Sequence, residues 1–354
     1  MNPLTSTNRL FAPLLTDDLV AERFSTSRTI ADFNAFEAAL LDAQAETGHI
    51  SETNAAACKE AVKQFTPDID AIADCLISDG LPVPEYVRQL KAVIGAPHAS
   101  AFHRDVTSQD IIDSSFAMAC RDINHELTRR LEAIIASLDL LSERFGANPL
   151  TGRTRMQAAL PMTVAQRIAP WRASMAQALS DLAGLRPQIE VLQLGGPVGL
   201  YHEVPQSNDH AQSMAKSLDL SIGEGQWHTQ RSNVAKYANW LSQVTGGLGK
   251  VGLDIGLMAQ QGINAVTLAD GGSSSAMPHK RNPVLAEVLV ALANHNAGQL
   301  GLVHQALVHE QERSGMAWTL EWMTVPGMMS STARALSLGQ KLVSGIKDIG
   351  DPHQ

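Results

Sequence analysis

The sequence predicts an all-α fold of long helices packed as a bundle, and three observations carry that prediction. Over residues 234–258 the apolar residues Val234, Tyr237, Leu241, Val244, Leu248, Val251, Ile255 and Met258 recur at alternating steps of three and four. That spacing keeps one stripe of a helix turned toward a neighbour. Leu127, Leu131, Ile134, Leu138 and Leu141 repeat the stripe, as do Val164, Ile168, Trp171 and Met175. Nothing in the second half alternates apolar and polar as a half-buried strand does. With 354 residues, the chain can bury the large core that several such helices enclose.

From the N-terminus, residues 1–100 carry shorter helical patterns, "TIADFNAFEAALLDAQAETG" and "ETNAAACKEAVKQF", separated by connectors such as "SDGLPVPEYV". They read as an N-terminal helical cap domain. Residues 101–345 read as the central long-helix domain, and 346–354, polar with Pro and Gly, as a tail. The best heptad holds Gly246, Gly247, Gly249, Gly252 and Gly256. Each glycine costs about 1 kcal/mol against Ala in a helix, a cost offset where bare backbone lets another helix approach. Such a helix suits subunit assembly better than a lone monomer, so an oligomer is expected. A further helix is expected after Pro283, carrying Leu285, Leu289 and Leu292, with Asn282 as its N-cap.

Composition narrows the function. Hydrophobic residues make up 44% and charged residues 18%, with a net charge of −9 and no block of Lys and Arg. Nucleic acid and anionic membrane are therefore not expected partners. No window approaches the roughly 18 apolar residues of a membrane span, and the first residues lack the basic start and apolar run of a secretion signal. Cys58, Cys75 and Cys120 are scattered and odd in number, as in a reducing cytoplasm, where the protein is expected.

Two motifs fail on context. Gly247-Leu-Gly249-Lys-Val-Gly252 matches a dinucleotide fingerprint but lies inside the heptad rather than between strand and helix. "HEQER" at 309–313 lacks the second histidine of a zinc helix. No metal and no organic cofactor are expected. The segment "GGSSSAMPHKRNP" (271–283) lacks the second glycine and the Ser/Thr of a P-loop. Glycine freedom, a following helix N-terminus, Lys280 and Arg281 favour an anion there; a solvated loop is the alternative reading.

That segment resembles the signature loop G-S-S-x-M-P-x-K-x-N of the fumarase/aspartase superfamily. "HRDVTSQDIIDSS" (103–115), "GRTRMQAALPMT" (152–163) and "LGGPVG" (194–199) resemble further blocks of that superfamily, in its order, so that the likeness spans residues 80–325. The resemblance implies a homotetramer with active sites made from several subunits. It also implies chemistry in which a proton moves at the carbon next to a carboxylate while a group leaves or adds at the β carbon. The enolate-like dianion needs electrostatic stabilisation. By motif position Ser274 matches the catalytic serine. Ser273 stands where the family usually has Gly, so the register between Ser274 and Ser275 stays open. Lys280 and Asn282 match the carboxylate-binding pair, and His103, Thr107 and Ser108 match the first block, in which Asp105 replaces the usual Gly.

Where these lyases carry His in the second block, this chain has Arg155. Arginine cannot protonate a leaving group, because its pKa lies above about 12. The 3-carboxy-cis,cis-muconate cycloisomerase branch fits this departure. Its nucleophile is a carboxylate already ionised near neutral pH, with a pKa near about 4. "WHTQRSNVAKYANWL" (227–241), "EQERSGMAWTLEW" (310–322) and "DGLPVPEYVRQL" (79–90) resemble segments of that branch, and imply Gln230, Arg231 and Arg313 as site residues. Arg153, Arg155 and Arg281 are then expected to compensate the charge of a small tricarboxylate substrate in aromatic-acid breakdown. The usual C-terminal helical domain is expected to be largely absent. The alternatives are an adenylosuccinate lyase-like β-elimination enzyme, whose loop also reads S-S-A-M-P-H-K-R-N-P, and a catalytically silent helical scaffold.

Overall fold

A computed structural model describes residues 10–269, 271–273, 277 and 280–352. In chain order the helices are α1 (Ala12–Leu15), α2 (Asp18–Arg23), α3 (Thr26–Glu46), α4 (Glu52–Gln64), α5 (Ile69–Asp79), α6 (Val83–Ile94), α7 (Ser108–Phe145), α8 (Val164–Ile189), α9 (Ser207–Leu218), α10 (Ser232–Met258), α11 (Val284–Gln305) and α12 (Gly315–Ser344). The strands are β1 (Pro149–Thr154), β2 (Gln157–Thr163), β3 (Val266–Leu268), β4 (Gly272–Ser273), β5 (Arg281–Asn282) and β6 (Ile346–Ile349).

The short N-terminal helices begin where the sequence supplies caps. The side chains of Asp17, Ser25, Ser51 and Asp68 accept a first-turn backbone N–H at α2, α3, α4 and α5, satisfying donors that a helix start leaves unpaired. Phe33, Phe36, Leu40 and Leu41 of α3 meet Tyr86 and Leu90 of α6 in one buried cluster, which Phe102, Ile111, Met214 and Leu218 complete. This second core holds the first block against α3 and α9.

α7, α8, α10, α11 and α12 form the bundle. Leu127, Leu131, Ile134, Leu138 and Leu141 are buried, and so is the whole stripe from Val234 to Met258. Several polar side chains within the core are paired, as burial favours. Tyr237 donates to Asn124 Oδ1 at 2.6 Å, Trp171 to Asp254 Oδ2 at 2.8 Å and Trp240 to the Ala178 carbonyl at 2.9 Å. Three of the heptad glycines serve close approach within the chain, Gly247 toward Ser174 and Met175 of α8 and two toward α11. A Cβ at Gly252 would lie 2.6 Å from the Ala286 carbonyl, and one at Gly249 2.7 Å from Ala293 Cβ, both on α11. Around Gly246 and Gly256 the space is open.

Short strands appear where the alternation rule finds none. β1 and β2 pair antiparallel across a two-residue turn in which Arg155 (φ 48°) and Met156 (φ 67°) are both left-handed, the turn that matches strand twist in a hairpin. Only Leu150 of this hairpin is buried, so its apolar side chains carry no period-2 signal. The segment read as a polar tail contains β6, which pairs antiparallel with β3, with Ile346 and Ile349 buried. Asn148 donates to the Ile349 carbonyl at 2.8 Å and Thr151 to Asp351 at 2.6 Å, which ties that strand to β1.

The bundle's directions decide where the motifs lie. α7 has 38 residues, which at 1.5 Å each is about 57 Å. It carries the first block at its N-terminus and the β1–β2 hairpin, which is the second block, beyond its C-terminus. α10 runs alongside α7 in the same sense, since Arg231 bonds Asp113 and Tyr237 bonds Asn124. α11 returns antiparallel from the far end, with Ala286 opposite Gly252, about 30 Å along α10 from Ser232.

Candidate active site

The first block is built around Thr107, the N-cap of α7. Its backbone N–H donates to Asp110 Oδ2 at 2.9 Å, completing a capping box. Asp110 is fully buried and also accepts from the backbone N–H groups of Gly195 (2.6 Å) and Gly196 (2.9 Å). His228 Nε2 lies 2.9 Å from its Oδ1. One carboxylate thus ties the "LGGPVG" loop and the "WHTQR" segment to the "TSQD" turn. The glycines are required here. Gly196 has φ 71°, and a Cβ at Gly195 would sit 2.6 Å from His228 Cε1.

Arg313 is half-buried on the same side. It donates through Nη2 to Thr107 Oγ1 (3.0 Å) and the Pro197 carbonyl (3.2 Å), and through Nε to Gln109 Oε1 (3.1 Å). His103, left-handed at φ 55°, has Nδ1 2.5 Å from Glu37 Oε1, whose side chain is fully buried. Arg313 and Thr107 are therefore brought together, with Ser108 next in the chain and His103 in the turn before them.

Arg231 requires a correction. The sequence reading sets it against substrate, yet it is 2% exposed and all three of its guanidinium nitrogens are used. Nη1 and Nη2 donate to Asp113 at 2.7 and 3.1 Å, and Nε and Nη2 to Glu321 at 2.9 and 2.5 Å. Burial alone would lower the Arg231 pKa, but Asp113 and Glu321 outweigh it and raise it. Burial pushes Glu321 up, while His309 and Arg231 pull it further down, so it ends below the usual 4.5. Asp113 also accepts from Trp318, Gln109 and Gln193 at 3.1, 3.2 and 3.3 Å. The triad is a floor beneath the first block rather than part of its open face. Sequence reasoning missed Asp110, Asp113, His228 and Glu321. The signal was Asp110 and Asp113 at i and i+3, which share one helix face.

The remaining site residues lie elsewhere. Gln230 is exposed and accepts from Ser232. Arg153 and Arg155 are exposed at the hairpin. Lys280 and Arg281 are exposed and Asn282 is half-buried, all just before α11. Asn282 is not the N-cap: β5 pairs it with Gly272, and Pro283 takes the cap position. The residue before a proline is pushed toward extended backbone, so the helix starts one residue late. Ser274 and Ser275 lie outside the described residues. Among the described residues, none of Arg153, Arg155, Lys280, Arg281 and Asn282 has a side-chain bond to the first block. By the helix lengths, the second and third blocks sit at the opposite end of the chain from it. One chain does not bring the three blocks to one place.

Comparison with known proteins agrees with this architecture. A lyase family matches residues 16–298. A 3-carboxy-cis,cis-muconate cycloisomerase of Acinetobacter baylyi is 31% identical over 96% of this chain and 77% of its own length. A nitrosuccinate lyase of Streptomyces davaonensis is 30% identical over 95% of this chain and 74% of its own. The crystal structure of the 3-carboxy-cis,cis-muconate lactonizing enzyme from Pseudomonas putida superposes with a TM-score of 0.88 at 32% identity, covering 96% of this chain and 77% of that one. Among the described residues no helix is long and apolar enough to cross a membrane. With the signature blocks, the bundle and these relatives in agreement, the chain belongs to this lyase family, within the fumarase/aspartase superfamily.

Proposed function

We infer that the protein is a cytoplasmic cycloisomerase that converts 3-carboxy-cis,cis-muconate to 4-carboxymuconolactone in protocatechuate breakdown. The observation that carries this reading is Arg155, which stands in the superfamily's histidine position at the tip of a two-residue turn. In lactone closure a substrate carboxylate adds to a double bond, forming a C–O bond, and the carbon α to another carboxylate takes a proton. The nucleophile is already ionised, so no general base is needed. A fixed guanidinium holds a carboxylate in bidentate fashion.

The roles follow. Lys280, Asn282, Thr107 and Ser108 bind the carboxylate whose α carbon is protonated, and Ser274 delivers the proton. Arg155, Arg153 and Arg281 compensate the remaining charge, while Gln230 and His103 edge the site. Holding the reacting carboxylate near the double bond supplies the proximity term. Because the blocks lie at opposite ends of one chain, the site is completed by other copies in a homotetramer.

A second reading also fits Arg155. Elimination from a nitrosuccinate expels nitrite, a stable anion that needs no proton either, and one relative is a nitrosuccinate lyase. Ultraviolet absorbance separates the two. Wild-type protein is expected to remove the diene absorbance of 3-carboxy-cis,cis-muconate, and Ser274→Ala to abolish this. Loss of signal in both proteins would move the proton donor away from Ser274. A flat diene trace, with fumarate and nitrite appearing from nitrosuccinate, would replace the first reading with the second.

A further inference from the structure

Asp105 occupies the first-block position where glycine is usual, and its backbone is left-handed at φ 64°, a region disfavoured for a residue with a Cβ. What holds it there is visible. His49, in the turn just after α3, places Nε2 2.7 Å from Asp105 Oδ2. Arg104 Nε lies 3.5 Å from the same oxygen, and Arg104 Nη1 donates to the His49 carbonyl at 3.4 Å. The Arg104 carbonyl accepts from Gln44 of α3 at 3.1 Å. Behind the turn, the Asp105 carbonyl sits so close to Gly196 that a Cβ there would lie 2.9 Å from it.

His49 is itself fixed. Its backbone N–H donates to the Gln44 carbonyl at 2.8 Å, and its ring meets His210 of α9 edge-on at 5.6 Å. Its side chain is only 13% exposed, against 37% for Asp105. The residues on either side of this clasp, His103 and Thr107, are the ones the site uses.

We propose that His49 is a positioning residue. Through Asp105 it clasps residues 103–107 to the end of α3 and so fixes His103 and Thr107 toward substrate. Glycine at 105 would reach the same backbone by freedom alone, so His49 and Asp105 act as a unit, and each loses its purpose without the other. The inference concerns the machinery of the reaction inferred above and rests on that reading for its kinetic arm only.

The test is a mutant cycle of His49→Ala, Asp105→Gly and the double variant, with His49→Gln as the conservative control. Two readouts apply to the intact protein, hydrogen exchange of the 103–107 amides and steady-state turnover of 3-carboxy-cis,cis-muconate. His49→Ala is expected to speed exchange in that turn and to lower kcat/KM about tenfold, chiefly by raising KM. His49→Gln, which can still donate to Asp105, is expected to stay within about threefold of wild type. Asp105→Gly is expected to stay within about threefold as well, and His49→Ala to add nothing further on that background. Unchanged exchange in His49→Ala overturns the proposal, as do losses that multiply in the double variant. If wild type leaves the diene untouched while the exchange pattern appears, the reaction is wrong and the clasp stands.

Discussion

The buried Arg231–Asp113–Glu321 triad sets the cost of error beneath the first block. Ion pairs of this kind are poor net stabilisers, but removing one partner strands a buried charge at about 3–5 kcal/mol. Arg231→Ala is therefore expected to lose that much in denaturant unfolding, while Gln230→Ala, at an exposed neighbour, stays within about 0.5 kcal/mol. The triad also has a pH signature. The folded-state pKa of Glu321 is depressed below the usual 4.5, so its contribution is complete above that value and is lost as pH falls through the depressed one. The stability gap between wild type and Glu321→Gln should be flat near neutrality and shrink only in acid. A gap that widens on acidification would contradict the assignment. Arg231 also teaches a limit of sequence reading. The motif marks the residue, but only packing reveals that two carboxylates consume its donors.

Elements were legible where burial imposes a period. The stripes on α7, α8 and α10 are buried as their spacing predicts, because a helix in a bundle must turn one face inward. The β1–β2 hairpin was not legible, because it buries little in this chain and its turn residues, Arg155 and Met156, are not the Asn-Gly type that advertises such a turn. β6 was hidden for a related reason, since four residues among Gly and Lys are too few for a pattern. The glycines of α10 divide by environment, which yields a paired prediction. Gly252→Ala drives a Cβ into the Ala286 carbonyl and is expected to cost about 1–3 kcal/mol. Gly256→Ala enters open space and is expected to stabilise the helix by up to about 1 kcal/mol. Thermal unfolding of both variants checks this. A loss at Gly256 would mean that a second copy packs against it.

At the scale of the molecule, the candidate site was legible as a set of motifs but not as a place. The sequence names Thr107, Arg155 and Lys280 without saying that a 38-residue helix holds the first some 57 Å from the second. That separation is why the proposed site draws on several copies of the chain, each lending a different block. The claim predicts complementation between two inactive proteins. Thr107→Val removes the first-block hydroxyl and Lys280→Ala the signature-loop cation, so each alone is expected to leave the diene absorbance of 3-carboxy-cis,cis-muconate unchanged. Unfolding the two together and refolding them as mixed oligomers assembles some sites from unmutated blocks only. The mixture is expected to regain a measurable fraction of wild-type diene loss. Mixed oligomers that form, as shown by mass, yet remain as inactive as their parents would contradict it.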